Sequence, residues 1–132
     1  MWRYIIAILL LAHGLGHWLG VMPVLGMAKE ENWSDDSPLL WGMLTPRTTR
    51  GFAVVLWLLA MAGFVVSSFG VMGFILSPDL VRYLCVASAF VSLVALTLFW
   101  NAFPSILNKV GAATFDVGVL AAVLAAPWPL AP

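Results

Sequence analysis

Four stretches of mostly apolar residues, each long enough to cross a lipid bilayer, make up most of the chain. They run over about residues 2–25, 51–76, 80–103 and 106–126. A membrane helix needs roughly 20 such residues, because a hydrocarbon core of about 30 Å is crossed at about 1.5 Å per residue. Only 9% of the 132 residues are charged, whereas about a quarter are charged in soluble domains. The sequence therefore predicts an all-α integral membrane protein.

The links between these stretches predict how the helices are arranged. A polar loop occupies residues 26–50, whereas 77–79 (Ser-Pro-Asp) and 103–105 (Phe-Pro-Ser) are short stop-and-cap turns. Short links favour antiparallel neighbours, so we expect a single membrane domain, residues 1–132, folded as an antiparallel four-transmembrane-helix bundle. A cleaved signal peptide is the alternative for the first stretch, but too many residues separate its apolar part from a cleavage site near Gly26.

The charged residues indicate how the chain is oriented. The chain has six basic and six acidic residues and no block of basic ones. The sequence therefore predicts no positively charged surface that would bind nucleic acid. Basic side chains are enriched on the cytoplasmic side of membrane proteins, which favours both termini outside the cytoplasm of a bacterial inner (cytoplasmic) membrane. The basic residues divide two against four: Arg3 and Arg82 on one side, and Lys29, Arg47, Arg50 and Lys109 on the other.

Asp116 is the one charged residue placed deep inside a predicted span. It lies about ten residues into the fourth stretch, near the bilayer midplane, where a bare carboxylate costs about 2.5 to 3.5 kcal/mol. His13 and His17 lie four residues apart on one face of the first stretch, and His13 has nearly the depth of Asp116. Ser92 reaches the same level in the third stretch, with Ser88 one turn away. The sequence thus predicts a buried polar cluster.

Two glycines share the histidine face of the first stretch. Gly16 and Gly20 are separated by three residues, and such small-residue pairs let membrane helices approach closely. We therefore expect this face to turn into the bundle.

Three uses of the polar cluster are consistent with its residue types. His13 and His17 can bind one transition metal, with Asp116 as a further ligand, or one imidazole can hold a haem-like pigment. The glutamate of a His-Glu-x-x-His motif is missing, so metallopeptidase chemistry is not expected. Packing by hydrogen bonds between helices, and proton handling by imidazole and carboxylate, are the alternatives. The candidate ligand-binding residues are His13, His17, Asp116, Ser92 and Ser88, with the two histidines as candidate metal ligands.

Short motifs in each stretch resemble those of a family of small bacterial four-span membrane proteins. The family has His-Gly-x-x-His in its first helix, Pro and Arg before its second, Leu-Phe-Trp ending its third, and a fourth helix with glycine and polar residues. The matching residues are His13, Gly14, His17, Pro46, Arg47, Gly51, Leu98, Phe99, Trp100, Gly111, Thr114 and Asp116. The family has asparagine where Asp116 stands, so the resemblance does not imply a required carboxylate. In size and topology the chain is also similar to DoxX-like proteins, whose members are associated with quinone or thiol redox systems.

These features favour a small polytopic membrane protein that is an accessory or ligand-binding bundle rather than an enzyme. The alternative is a membrane redox protein, or an enzyme subunit, that binds haem, a metal or a quinone through the first-helix histidines. The expected partners are the lipid bilayer and either a larger membrane complex or further copies of the chain.

Overall fold

All the regular structure found in the described part of the chain is helical. The computed structural model describes residues 1–27, 37, 39–40, 42–74, 76–103 and 105–125. Four apolar segments of this part, formed by α1 with α2, by α3, by α4 and by α5, are long enough to cross a membrane, which confirms the predicted fold class. The helices are α1 (Trp2–Gly16), α2 (Trp18–Val24), α3 (Pro46–Val71), α4 (Pro78–Leu98) and α5 (Ile106–Ala125), with a 3₁₀ turn at Trp100–Ala102.

Two helices begin with a hydroxyl cap followed by proline. The Thr45 side chain accepts a hydrogen bond from the Thr48 backbone N–H, and Ser77 accepts one from Leu80, each at 3.3 Å. Proline suits the first helical position because that position needs no N–H donor. Consequently α3 begins at Pro46, earlier than the predicted span over 51–76. It also ends earlier, at Val71.

The other span limits differ less from the prediction. The third span, expected over 80–103, is α4 from Pro78 to Leu98 followed by the 3₁₀ turn. The fourth, expected over 106–126, is α5 from Ile106 to Ala125. Because α3 begins early, Arg47 and Arg50 lie in its first turns and not in the loop where the sequence placed them.

The first span consists of two helices that meet at His17, where the sequence predicts one continuous helix. The backbone N–H of His17 donates to the Gly14 carbonyl at 3.1 Å, three residues back, whereas an α-helix bonds four residues back. The His17 imidazole Nδ1 donates to the His13 carbonyl at 2.9 Å. The side chain therefore occupies the carbonyl that the backbone N–H would otherwise reach, and the His17 ring is held in one orientation.

The helices pack in the order α1, α3, α4, α5. The central helix α3 packs on α1, α2 and α4, whereas α5 packs mainly on α4. Two buried apolar clusters fill the bundle, one around Trp57 and Phe99 and one around Phe64 and Val81. His13 and His17 in the first span, and Ser92 in α4, lie between residues of the two apolar clusters, which places this polar level within the membrane-crossing segments.

Glycine positions explain how closely α1 and α2 approach the rest of the bundle. A Cβ at Gly14 would lie 3.0 Å from Phe64 Cβ and 3.2 Å from the Met61 carbonyl, and one at Gly20 would lie 3.0 Å from Trp57. A Cβ at Gly16 would meet nothing within 4 Å. The predicted close approach is therefore correct for Gly20 and wrong for Gly16, whose place at the helix contact is taken by Gly14.

Candidate functional site

Four side chains from different parts of the bundle form one continuous hydrogen-bonded chain, which we call the polar cluster. His13 Nε2 lies 2.8 Å from Asp116 Oδ1. Ser92 Oγ lies 2.5 Å from Asp116 Oδ2 and 2.7 Å from His17 Nε2. The order along the cluster is therefore His13, Asp116, Ser92, His17, with both carboxylate oxygens of Asp116 in use.

The members of the polar cluster differ in accessibility. Asp116 and Ser92 are fully buried, and His17 is 2% exposed. The His13 side chain keeps 11% of its surface accessible. His13 is therefore the member through which the polar cluster meets its surroundings.

Aromatic rings form the walls around the two imidazoles. Phe115 stacks on the His13 ring with centroids 4.1 Å apart, and Phe64 meets it edge-on at 4.8 Å. The Trp57 ring lies 5.7 Å from the His17 ring. Such apolar walls make an unbalanced charge expensive, so the polar cluster is most stable when its charges cancel.

The hydrogen-bond partners fix which ring nitrogens carry hydrogen. A carbonyl oxygen can only accept, so His17 Nδ1 carries hydrogen where it meets the His13 carbonyl. A carboxyl group beside an imidazole favours hydrogen on the nitrogen that faces it, here His13 Nε2. In neutral His13, Nδ1 then has a lone pair, and this nitrogen has no hydrogen-bond partner among the described residues.

A groove of about 270 Å³ between α1 and α5 leads to the polar cluster. It exists because α5 packs mainly on α4 and leaves its edge toward α1 uncovered. Two small residues widen it, since a Cβ at Gly16 or Gly111 would meet nothing within 4 Å. Its lining is mainly apolar and includes His13, Gly16, His17, Phe103, Asn108 and Gly111.

The polar cluster contains nitrogen and oxygen atoms of the kinds that bind transition metals. One ligand atom from each of His13, His17 and Asp116 lies within 4.8 Å of the others. Two ligands about 2.0 to 2.2 Å from one ion can be at most about 4.4 Å apart. A metal bound by all three residues would therefore need a small shift of the side chains and the loss of their present hydrogen bonds.

The structure brings together four of the five candidate residues. Ser88 is the exception, because its hydroxyl donates to the Leu84 carbonyl at 2.6 Å and packs against Gly63 of α3. Sequence reasoning missed the aromatic walls, whose residues carry no signal that separates them from other apolar residues of the spans. It also missed the bond from His17 to the His13 carbonyl, although a spacing of four residues allows it.

We compared the chain with protein-family models, curated proteins and solved structures, and none of them matches. The assignment of a function therefore rests on the geometry and chemistry of the polar cluster.

Proposed function

We propose that this protein is a ligand-binding membrane bundle in which the polar cluster holds the polar end of a lipophilic molecule. The observation that carries the proposal is the position of His13, which lines the groove between α1 and α5 while its Nε2 contacts buried Asp116. A molecule in the groove would meet His13 first, with Asp116 and Ser92 behind it.

The atoms around the groove point to a class of ligand. With hydrogen on Nε2, the Nδ1 atom of His13 accepts hydrogen bonds, so the ligand needs a donor such as a hydroxyl group. The lining is mainly apolar, and the groove lies between two segments long enough to cross a membrane, α1 with α2 and α5. A lipophilic molecule with a hydroxylated ring, of the hydroquinone class, meets both requirements.

A binding experiment in bilayer nanodiscs tests this proposal. The protein is titrated with a short-chain hydroquinone, and we expect saturable heat release. Gly111→Leu would add a side chain at the groove, with a Cβ that meets nothing within 4 Å, so we expect it to weaken binding at least about tenfold, about 1.4 kcal/mol.

The matched control is Gly51→Leu. Gly51 also has open space around its Cβ position, but it lies on α3 and does not line the groove, so binding should be unchanged. Uptake that does not saturate, and that is equal in wild type and Gly111→Leu, would show simple partitioning into lipid and would reject the proposal.

A membrane redox protein is the second candidate, and the pairing of His13 with Asp116 favours it. Histidines that bind metals commonly donate their other ring N–H to a carboxylate, and His13 has this pairing at Nε2. Nδ1 would then bind a metal ion or a haem iron. An absorption spectrum and a metal analysis of the purified protein test this, and a colourless, metal-free protein that takes up neither haem nor zinc would reject it.

We further propose that the chain lies in the bacterial cytoplasmic membrane with both termini outside the cytoplasm. Arg47 and Arg50 begin α3, and Lys109 lies near the start of α5 with its ammonium 5.4 Å from the Trp100 ring. These residues support a basic side near the loop between α2 and α3. Alkaline phosphatase fused to the C-terminus should be active and a fluorescent protein dark, and the reverse pattern would reject the orientation.

A further inference from the structure

The three hydrogen bonds of the polar cluster require one proton more than His13 and Ser92 supply. Three bonds join His13 to Asp116, Asp116 to Ser92, and Ser92 to His17. Each bond needs one proton between its two atoms. His13 Nε2 supplies one proton and the Ser92 hydroxyl supplies a second.

A third proton is needed to complete the three hydrogen bonds, and two atoms can carry it. The His17 Nδ1 proton is already committed to the His13 carbonyl, so it cannot serve. The missing proton must therefore lie on Asp116 Oδ2 or on His17 Nε2. Without it, two lone pairs would face each other at one of the Ser92 contacts, which are 2.5 and 2.7 Å long.

We infer that the polar cluster stores one proton and passes it between Asp116 and His17 through the Ser92 hydroxyl. With the proton on Asp116, the carboxylic acid donates to Ser92 and the Ser92 hydroxyl donates to His17 Nε2. With the proton on His17, the imidazolium donates to Ser92 and the Ser92 hydroxyl donates to the Asp116 carboxylate. The conversion breaks the Oδ2–H bond and the original Oγ–H bond and forms a new Oγ–H bond and an Nε2–H bond, so protons and charge balance.

The residues around the polar cluster favour the presence of the third proton. Both arrangements leave the polar cluster without net charge, and its buried members sit among aromatic walls. The groups that face it are His13 from α1, His17 from the junction with α2, Ser92 from α4 and Asp116 from α5. Helix α3 contributes Phe64 and Trp57, which do not titrate. A cluster lacking the third proton would carry an unbalanced negative charge at membrane depth.

The stored proton goes beyond the proposed function, because it needs no ligand in the groove. A protein that fails to bind a hydroquinone can still hold the proton, and a protein without the proton can still bind a hydroquinone. The two proposals therefore fail separately when the spectra are recorded without a ligand.

Two spectroscopic readouts on ligand-free protein in nanodiscs locate the proton at neutral pH. Infrared spectra report the carboxylic acid C=O band of Asp116, identified by its loss in Asp116→Asn. Nitrogen-15 NMR reports whether His17 Nε2 carries hydrogen, and the assignment is simple because the chain has only two histidines. We expect the acid fraction of Asp116 and the protonated fraction of His17 Nε2 to add up to one proton. An Asp116 carboxylate together with a lone pair on His17 Nε2 would overturn the inference.

Variants of Ser92 test the transfer. In the wild type we expect the two fractions to change with temperature in opposite directions at a constant sum, because the two arrangements differ in enthalpy. Ser92→Ala removes the bridging hydroxyl, so we expect this reciprocal change to be lost, whereas Ser92→Thr keeps the hydroxyl and should retain it. Ser88→Ala is the matched control on α4, because the Ser88 hydroxyl bonds to the Leu84 carbonyl. Ser92→Ala spectra that change with temperature as the wild-type spectra do would overturn the transfer.

Asp116→Asn gives a second test in case Ser92→Ala does not fold. The asparagine amide can donate to Ser92 while its carbonyl accepts from His13, so Ser92 must then donate to His17. We expect His17 Nε2 to carry a lone pair in this variant. A protonated Nε2 would overturn the inference.

Discussion

Asp116 shows how a single acid is accommodated at the centre of an apolar bundle. A carboxylate alone at this depth costs about 2.5 to 3.5 kcal/mol or more. Here one oxygen meets His13 and the other meets Ser92, and the residue is fully buried. Hydrogen bonds at both oxygens replace the contacts that water would provide.

The cost of losing Asp116 should depend on the shape of its replacement. Asp116→Asn retains a partner for His13 and for Ser92, so we expect the unfolding temperature in detergent to change little. Asp116→Ala removes that partner from partly buried His13 and from fully buried Ser92, and leaving a buried polar group unsatisfied costs about 1–3 kcal/mol. Thermal unfolding of both variants checks this, and an equal loss in Asn and Ala would contradict the role of the hydrogen bonds.

At the residue scale, the depth of each polar side chain in the membrane was predictable from the sequence, whereas the rotation of each helix about its own axis was not. The rise of a helix places His13, Ser92 and Asp116 at one level from their positions in the spans. Which serine of α4 faces Asp116 depends on how α4 turns against α3. The close contact of Ser88 with Gly63 sets that rotation, and it involves a partner helix that the local pattern of α4 does not specify.

At the scale of the elements, hydropathy locates the spans but not their ends. The start of α3 at Pro46 and of α4 at Pro78 is set by a hydroxyl cap followed by proline, and the sequence contains both signals. The break in the first span at His17 has no comparable signal. It depends on the bond between the His17 side chain and the His13 carbonyl, which competes with the regular helix.

Gly14 and Gly16 offer a matched pair of variants on α1. Gly14→Ala would press a methyl group against Phe64 and the Met61 backbone, so we expect a loss of about 1–3 kcal/mol from overpacking. Gly16→Ala meets open space and replaces a poor helix former, so stability should hold or rise slightly. Thermal unfolding distinguishes them, and a larger loss in Gly16→Ala would contradict the packing described for α1 and α3.

At the scale of the whole molecule, the described helices leave grooves at two places, one between α3 and α4 and one at the edge between α1 and α5. Helix α3 packs on both α1 and α4, whereas few contacts join α1 to α5, and their edge contains the groove beside His13 and a second groove lined by Leu9, Phe115 and Gly118. The sequence predicted four spans but not which pair would be left apart. That outcome depends on side-chain fit between helices that are distant in the chain.

The central claim is that His13, which lines the groove, has an unprotonated Nδ1 while its Nε2 contacts Asp116. Nitrogen-15 NMR of histidine-labelled protein in bilayers measures both atoms directly. We expect Nε2 to carry hydrogen and Nδ1 to carry a lone pair, and the Nδ1 signal should shift when a short-chain hydroquinone is added to wild type but not to Gly111→Leu. Hydrogen on Nδ1 with a lone pair on Nε2 would contradict the claim.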